Sequence, residues 1–259
     1  MSDSTEKITT ELRGHLLLIG IRRPAKMNAF DSAMLRGLSA AFGRMEAEPQ
    51  VRCGVIFAHG EHFTAGLDLG EVAPQLMDGS LELDDGYDPW GVHGKLRTKP
   101  TVIAVQGRCL TLGIELCLAQ DVRIAASDAR FAQIEIKRGI FPFGGATFRL
   151  MSTAGWGNAM RWLLTGDEFD AQEALRIGLI QEVVAPGQQL DRAIQIAETI
   201  AAQAPLGVQA TLASARQALV EESASRALLP ELQRLMATQD AQEGVLSFLE
   251  RRAAKFQGK

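Results

Sequence analysis

Two short apolar runs open the pattern of the chain, residues 15–21 (HLLLIGI), stopped by Arg22-Arg23-Pro24, and residues 51–58 (VRCGVIFA), closed by His59-Gly60. Runs of this length bounded by turn residues predict strands. Between them Met34, Leu38, Ala41 and Met45 recur at helical spacing, while Arg36, Arg44 and Glu46 occupy other faces. The expected order is strand, helix, strand, with the two strands parallel. Residues 101–106 (TVIAVQ) and 121–125 (DVRIA) predict two more strands, separated by two helical turns over 112–119 (LGIELCLA). Beyond about residue 145 the periodicity turns helical. Ala193, Ile196, Ala197 and Ile200 form an amphipathic stripe, 245–254 predict a charged helix, and the last third is expected to be all-helical. The class is α/β, with a core over 1–195 and a C-terminal helical region over 196–259.

One stretch breaks this rhythm. Residues 78–90 (DGSLELDDGYDPW) place five acids, two glycines and a proline in thirteen positions, which predicts a solvated loop or a frayed helix end, at a length where insertions often serve as lids.

Composition narrows the function classes. A chain of 259 residues with 46% hydrophobic and 22% charged residues suits a globular protein with a substantial core. Its 27 Lys and Arg are scattered among 31 Asp and Glu, for a formal net charge of -4, so neither nucleic acid nor an anionic membrane is an expected partner. Cys53, Cys109 and Cys117 form no CxxC pair and suit a reducing compartment, so a cytoplasmic location is expected. The opening MSDSTEKITTELRG fits neither a secretory signal nor an Arg-rich transit peptide, and no apolar run approaches the ~20 residues that span a bilayer.

Several familiar chemistries are missing, since GxxxxGK[ST], GxSxG, HExxH and paired CxxC motifs do not occur. Gly155-Trp156-Gly157 has Met160 where a dinucleotide fingerprint needs its third glycine, and is expected to be a helix-capping turn. His59 and His62 fall at a strand-to-turn junction and are expected to be loop histidines, so no metal site is expected.

Three features hold more chemistry. In 62–70 (HFTAGLDLG), Gly66 after Ala65 predicts a tight turn that leaves the backbone N–H of Leu67 pointing outward, suited to an oxyanion. In 106–119 (QGRCLTLGIELCLA) the chain runs from a strand into a helix, placing the N–H of Leu112 at a positive helix terminus. Glu115 follows in the first turn of that helix among Ile114, Leu116, Cys117 and Leu118, where it is either complementing the helix dipole or reserved for chemistry. Glu135 also stands between apolar neighbours, ahead of the turn 139–145 (GIFPFGG); alone it would be taken as a strand-end or helix-start glutamate. Two carboxylates in apolar settings beside two oxyanion donors can be driven apart into acid and base roles.

These segments resemble the crotonase (enoyl-CoA hydratase/isomerase) superfamily. RPAKMNA at 23–29 is similar to its RPxxxNA opening, HFTAGLDL to its F[ST]AGxDL segment, and the blocks 99–125, 130–150 and 163–184 to three further motifs in the family's order, so the resemblance covers about 15–255. It implies a spiral of ββα units with a C-terminal helical trimerisation region, and a homotrimer or dimer of trimers. It further implies an oxyanion hole from the N–H groups of Leu67 and Leu112, and Glu115 and Glu135 as the acid/base pair of a hydratase acting on an acyl-CoA. Coenzyme A belongs to the substrate, no other cofactor is implied, and the CoA contacts fall on Lys26, Ala65, Leu67 and Leu69. Isomerases of the family commonly keep only the glutamate matching Glu135, and dienoyl isomerases add an acid eight residues on, where this chain has Phe143. An RNA-binding relative has a lysine-rich first helix, whereas residues 28–48 here contain no lysine. The chain departs from the family in having Thr111-Leu112-Gly113 for the usual three glycines, and Phe143 for a small residue at the acyl end.

Overall fold

The structure is a computed structural model and describes residues 6–79, 86–217, 229–230 and 232–255. A six-stranded sheet is its frame: β1 (Ile8–Arg13), β2 (Leu16–Ile21), β3 (Cys53–Ala58), β4 (Thr101–Val105), β6 (Val122–Ala126) and β9 (Glu182–Val184), in that spatial order. β1 and β2 form an antiparallel hairpin and every later pairing is parallel. All six residues of β2 and all five of β4 are buried, as expected of strands covered on both faces.

A second, three-stranded sheet joins β5 (Arg108–Leu110), β7 (Arg130–Ala132) and β8 (Phe169–Asp170). Isolated parallel bridges extend its pattern backwards, Thr64 to Cys109 and Phe30 to Leu67. Each turn of the chain therefore runs from a strand of the large sheet through a short extended stretch and into a helix. β2 leads through Phe30 to α1 (Ser32–Ala47), β3 through Thr64 to α2 (Leu69–Asp78), and β4 through β5 to α3 (Leu112–Ala119). β6 leads through β7 to a 3-10 turn at Glu135–Arg138. This is the ββα spiral.

The helix α1 carries the anticipated stripe, with Met34, Leu38, Ala41 and Met45 all buried, and Asp31 caps it by accepting from the Met34 N–H at 2.9 Å. On the opposite face of the sheet α7 (Gln189–Ala201) sets Ala193, Ala197 and Ala201 against Leu16, Leu18, Val55, Val102 and Ile124, with Ile196 and Ile200 partly buried beside them. The position 195/196 thus falls inside α7, and Ala193 and Ala197 share one cluster. Between lie α4 (Ala146–Ala154), α5 (Trp156–Thr165) and α6 (Ala171–Arg176), and after them α8 (Pro205–Gln217) and α9 (Gln239–Leu249). Gly155 ends α4 and starts α5, so the GWG segment is a capping turn.

The last third is not all-helical. β9 closes the large sheet beside β6, and β8 completes the small one. Strands of three and two residues are too short for a period-2 pattern, and all three residues of β9 are half-buried. β1 also lies in a segment that reads as polar, because its last three residues are exposed on the sheet edge.

Candidate active site

The first N–H donor is set by a knot of hydrogen bonds around Asn28. Met27 and Asn28 both adopt the left-handed conformation, with φ of 48° and 53°. The Asn28 amide donates to the carbonyls of His59 and His62 at 2.9 and 2.8 Å, and its oxygen accepts from the Arg23 N–H at 2.6 Å. Thr64 then donates to the Asn28 carbonyl at 2.7 Å and accepts from the Gly66 N–H at 3.0 Å. Gly66, at φ +92°, makes the turn, its carbonyl accepting from Phe30 while Asp68 donates to the Phe30 carbonyl. The N–H of Leu67, between those two bonds, has no acceptor among the described residues.

The second donor stands at the start of α3. Thr111 precedes it at φ 50°, ψ -116°, a backbone region where glycine is the usual occupant. Its own N–H is held by the Ala132 carbonyl at 3.0 Å, and the N–H of Leu112 has no acceptor among the described residues. Gly113 could not be larger, since an added Cβ would lie 2.4 Å from the Thr64 methyl. Leu67 and Leu112 line one cavity of about 20 Å³, room for a single water, with Phe143, Gly144 and Trp90. Phe143 forms its aromatic wall and packs outward on Val72, Leu76 and Ile140.

Glu115 and Glu135 are both buried, at 1% and 6% exposure, and close enough that the charge of Glu115 acts on Glu135. Their surroundings differ. Burial pushes the Glu115 carboxyl up to about 7, opposed by the N–H groups of Ala146 and Gly144 and by the Arg149 guanidinium. The Gly144 and Ala146 N–H groups donate to Glu115 Oε1 at 2.7 and 3.1 Å, and Gly144 is also a wall of the cavity. Burial raises Glu135 well above the ordinary carboxyl range, and the Glu115 charge raises it further. Gln133, 1% exposed, reaches Glu135 when its amide nitrogen faces inward, donating to both carboxylate oxygens at 3.2 and 3.3 Å and to the Thr111 carbonyl at 3.0 Å. Glu115 thus accepts the negative charge first, and Glu135 keeps its proton longer.

The end of the acidic stretch is built into this site rather than solvated. Residues 80–85, including Asp84 and Asp85, lie outside the described residues, but Trp90 is 5% exposed. Its indole N–H donates to the Leu112 carbonyl at 3.0 Å and its ring meets Phe30 edge-on. Arg149, on α4, donates to the carbonyls of Trp90 and Gly91 at 2.5 and 3.0 Å. Trp90, Arg149 and Gln133 were not foreseen from sequence. A tryptophan ending an otherwise polar stretch was the only local signal among them.

The remaining predicted residues, Lys26, Ala65 and Leu69, do not line this cavity. Ala65 donates to the Met27 carbonyl at 2.9 Å, which places it beside the exposed Lys26 on the 3-10 turn Pro24–Lys26, and Leu69 begins α2. His59 contacts Thr9 through Nε2 at 3.0 Å, and His62 accepts from the Arg108 N–H through Nδ1 at 3.3 Å. Among the described residues no three His, Cys, Asp or Glu side chains gather as a metal-binding group, and no helix is long and apolar enough to cross a membrane.

A ββα spiral with two unpaired N–H groups beside two buried carboxyls defines a class, and the chain belongs to it: residues 11–259 match the enoyl-CoA hydratase/isomerase family. Within that family its relatives are hydratase-like. Enoyl-CoA hydratase EchA19 of Mycobacterium tuberculosis is 35% identical over 96% of both chains. Among solved structures, a probable enoyl-CoA hydratase/isomerase from Mycobacterium abscessus is 51% identical with a TM-score of 0.81, covering 98% of this chain and 99% of its own. A carnitinyl-CoA hydratase from Mycobacterium avium is 34% identical with a TM-score of 0.87, covering 99% and 100%.

Proposed function

We propose that this chain is a hydro-lyase of the enoyl-CoA hydratase type, adding water across the double bond of a 2-enoyl-CoA to give the 3-hydroxyacyl-CoA. The observation that carries this reading is the unequal setting of two neighbouring carboxyls, Glu115 beside three backbone N–H donors and the Arg149 guanidinium, and Glu135 with no cation acting on it among the described residues. The thioester oxygen sits on the N–H groups of Leu67 and Leu112, which stabilise the enolate as it forms; one such donor is typically worth ~3 kcal/mol. Glu115, ionised, takes a proton from water as the oxygen bonds to the β-carbon. Glu135, protonated, gives its proton to the α-carbon, and the proton held by Glu115 restores the pair. Water supplies both the hydroxyl and the hydrogen, so the scheme needs no metal or redox group.

Ala65 and Leu69 meet CoA through their backbones and Lys26 reaches its phosphates. The C-terminal helical region, 196–259, forms the contacts of a homotrimer or dimer of trimers in the cytoplasm. Leu228 and Glu231, in the segment 228–237 that these contacts would use, lie outside the described residues. The test is a panel of 2-enoyl-CoA thioesters assayed by loss of enoyl absorbance with identification of the product. Formation of 3-hydroxyacyl-CoA is expected. Interconversion of 3-enoyl- and 2-enoyl-CoA with no hydroxy product would replace this reading by a double-bond isomerase working through Glu135.

A further inference from the structure

His93 lines the same cavity as Leu67 and Leu112, and its Nε2 is shut off from solvent with no hydrogen-bond partner among the described residues. The segment that carries it is tied down. Asp88 accepts the backbone N–H groups of Trp90, Val92 and His93 at 2.9, 2.7 and 2.8 Å, and Arg149 holds the Trp90 and Gly91 carbonyls. The backbone that carries the half-buried imidazole is therefore held beside the cavity. Apart from Asp88 and the imidazole, the side chains around that space are apolar: Leu35, Leu67, Val92, Leu112 and Phe143, with the Trp90 ring. A buried nitrogen without a partner is costly, and an apolar group entering this space, which admits one water-sized group, would leave it so.

We infer that His93 is a specificity-determining residue, and that the preferred thioester carries on its acyl chain a neutral hydrogen-bonding group, a hydroxyl or keto oxygen, that meets His93 Nε2. The inference rests on the hydratase reading only for what happens after binding. Neutrality of the partner follows from the surroundings. Burial lowers the His93 pKa, opposed by the Asp88 carboxylate, so the imidazole is uncharged, and an anionic acyl group would face Asp88 across the same cavity. A neutral imidazole nitrogen can donate or accept, so either oxygen group satisfies it.

The test uses saturated thioesters, which bind without turning over: hexanoyl-CoA against its 4-oxo, 5-oxo and 5-hydroxy counterparts, by titration calorimetry on the full-length protein. At least one oxygenated chain is expected to bind about tenfold more tightly than hexanoyl-CoA. His93→Phe is expected to bring that ratio close to one, and His93→Gln, which can still donate and accept, to keep part of it. Equal binding of all four thioesters by the unaltered protein overturns the inference, as does a ratio that survives His93→Phe; should His93→Phe not fold, the unaltered protein and His93→Gln decide. Hydration of the matching 2-enoyl thioesters is followed in parallel. Absence of hydration there would refute the hydratase reading, while the binding ratio decides on His93 by itself.

Discussion

Thr111 and Gly66 lie so close that a Cβ on Gly66 would stand 1.8 Å from Thr111 Oγ1. These are the residues immediately before Leu112 and Leu67, so the two unpaired N–H groups are spaced by a hydroxyl resting on a bare glycine. Thr111 adopts a glycine-like backbone despite its side chain, at φ 50°, ψ -116°, a region that costs on the order of 1–3 kcal/mol for a residue with a Cβ.

Gly66→Ala should therefore fail twice, from the clash with Thr111 and from its φ of +92°. A loss of roughly 2–4 kcal/mol in urea unfolding is expected, with weaker binding of an acyl-CoA. Adding Thr111→Gly removes the clashing atom and should recover part of that loss. If the double variant is no more stable than Gly66→Ala alone, the contact does not set the spacing.

Glu115→Gln and Glu135→Gln should each lower kcat by ~10²–10⁴-fold with KM changed little, because an amide keeps the shape but exchanges no proton. In the proposed scheme both groups serve one addition, so the double variant should lose less than the product of the singles. Hydration that survives Glu115→Gln within a few-fold, beside a dead Glu135→Gln, would contradict the two-carboxylate scheme.

The pair also fixes a pH dependence. Burial raises the Glu115 pKa from 4.5 to about 7, and Glu135 is raised as well. Between those two values the unfolded chain releases the Glu115 proton while the folded chain retains it, so stability should fall as pH rises from 4.5 to about 7. Urea unfolding across that window should show the decline, with a shallower slope in Glu115→Gln. Activity should rise with pH through about 7, as Glu115 ionises, and decline at a higher pH where Glu135 loses its proton. An acid limb that stays in place in Glu115→Gln residual activity would assign it to another group.

Arg149 couples charge to the loop. Its guanidinium favours ionised Glu115 and its N–H groups hold the carbonyls of Trp90 and Gly91. Arg149→Met should move the acid limb of kcat/KM to higher pH as well as destabilise the fold. Arg149→Lys, with the charge kept and the planar fork lost, should restore much of the limb but not the stability. A purely structural arginine would leave the limb unmoved in both.

The large sheet, α1 and α7 were readable because their apolar positions repeat over whole turns or fill whole strands. The burial of Glu115 and Glu135 was readable from their apolar neighbours, and the turn before Leu67 from Gly66. β1, β8 and β9 were not, being short or on an edge, where partners far along the chain decide the pairing. Trp90, Arg149 and Gln133 work through contacts 22 residues or more away, or, for Gln133, through an amide orientation, none of which leaves a periodic trace.

The bond from the Trp90 indole to the Leu112 carbonyl gives the protein an optical reporter of its own. Of the three tryptophans, Trp156 is 67% exposed and Trp162 packs against Phe169, so only Trp90 stands at the cavity. In the proposed reaction a thioester oxygen on the Leu112 N–H would polarise the next peptide group, whose carbonyl is the acceptor of that indole. On that scheme occupancy should register in the emission of a native ring, so that binding could be followed by light in the unlabelled chain.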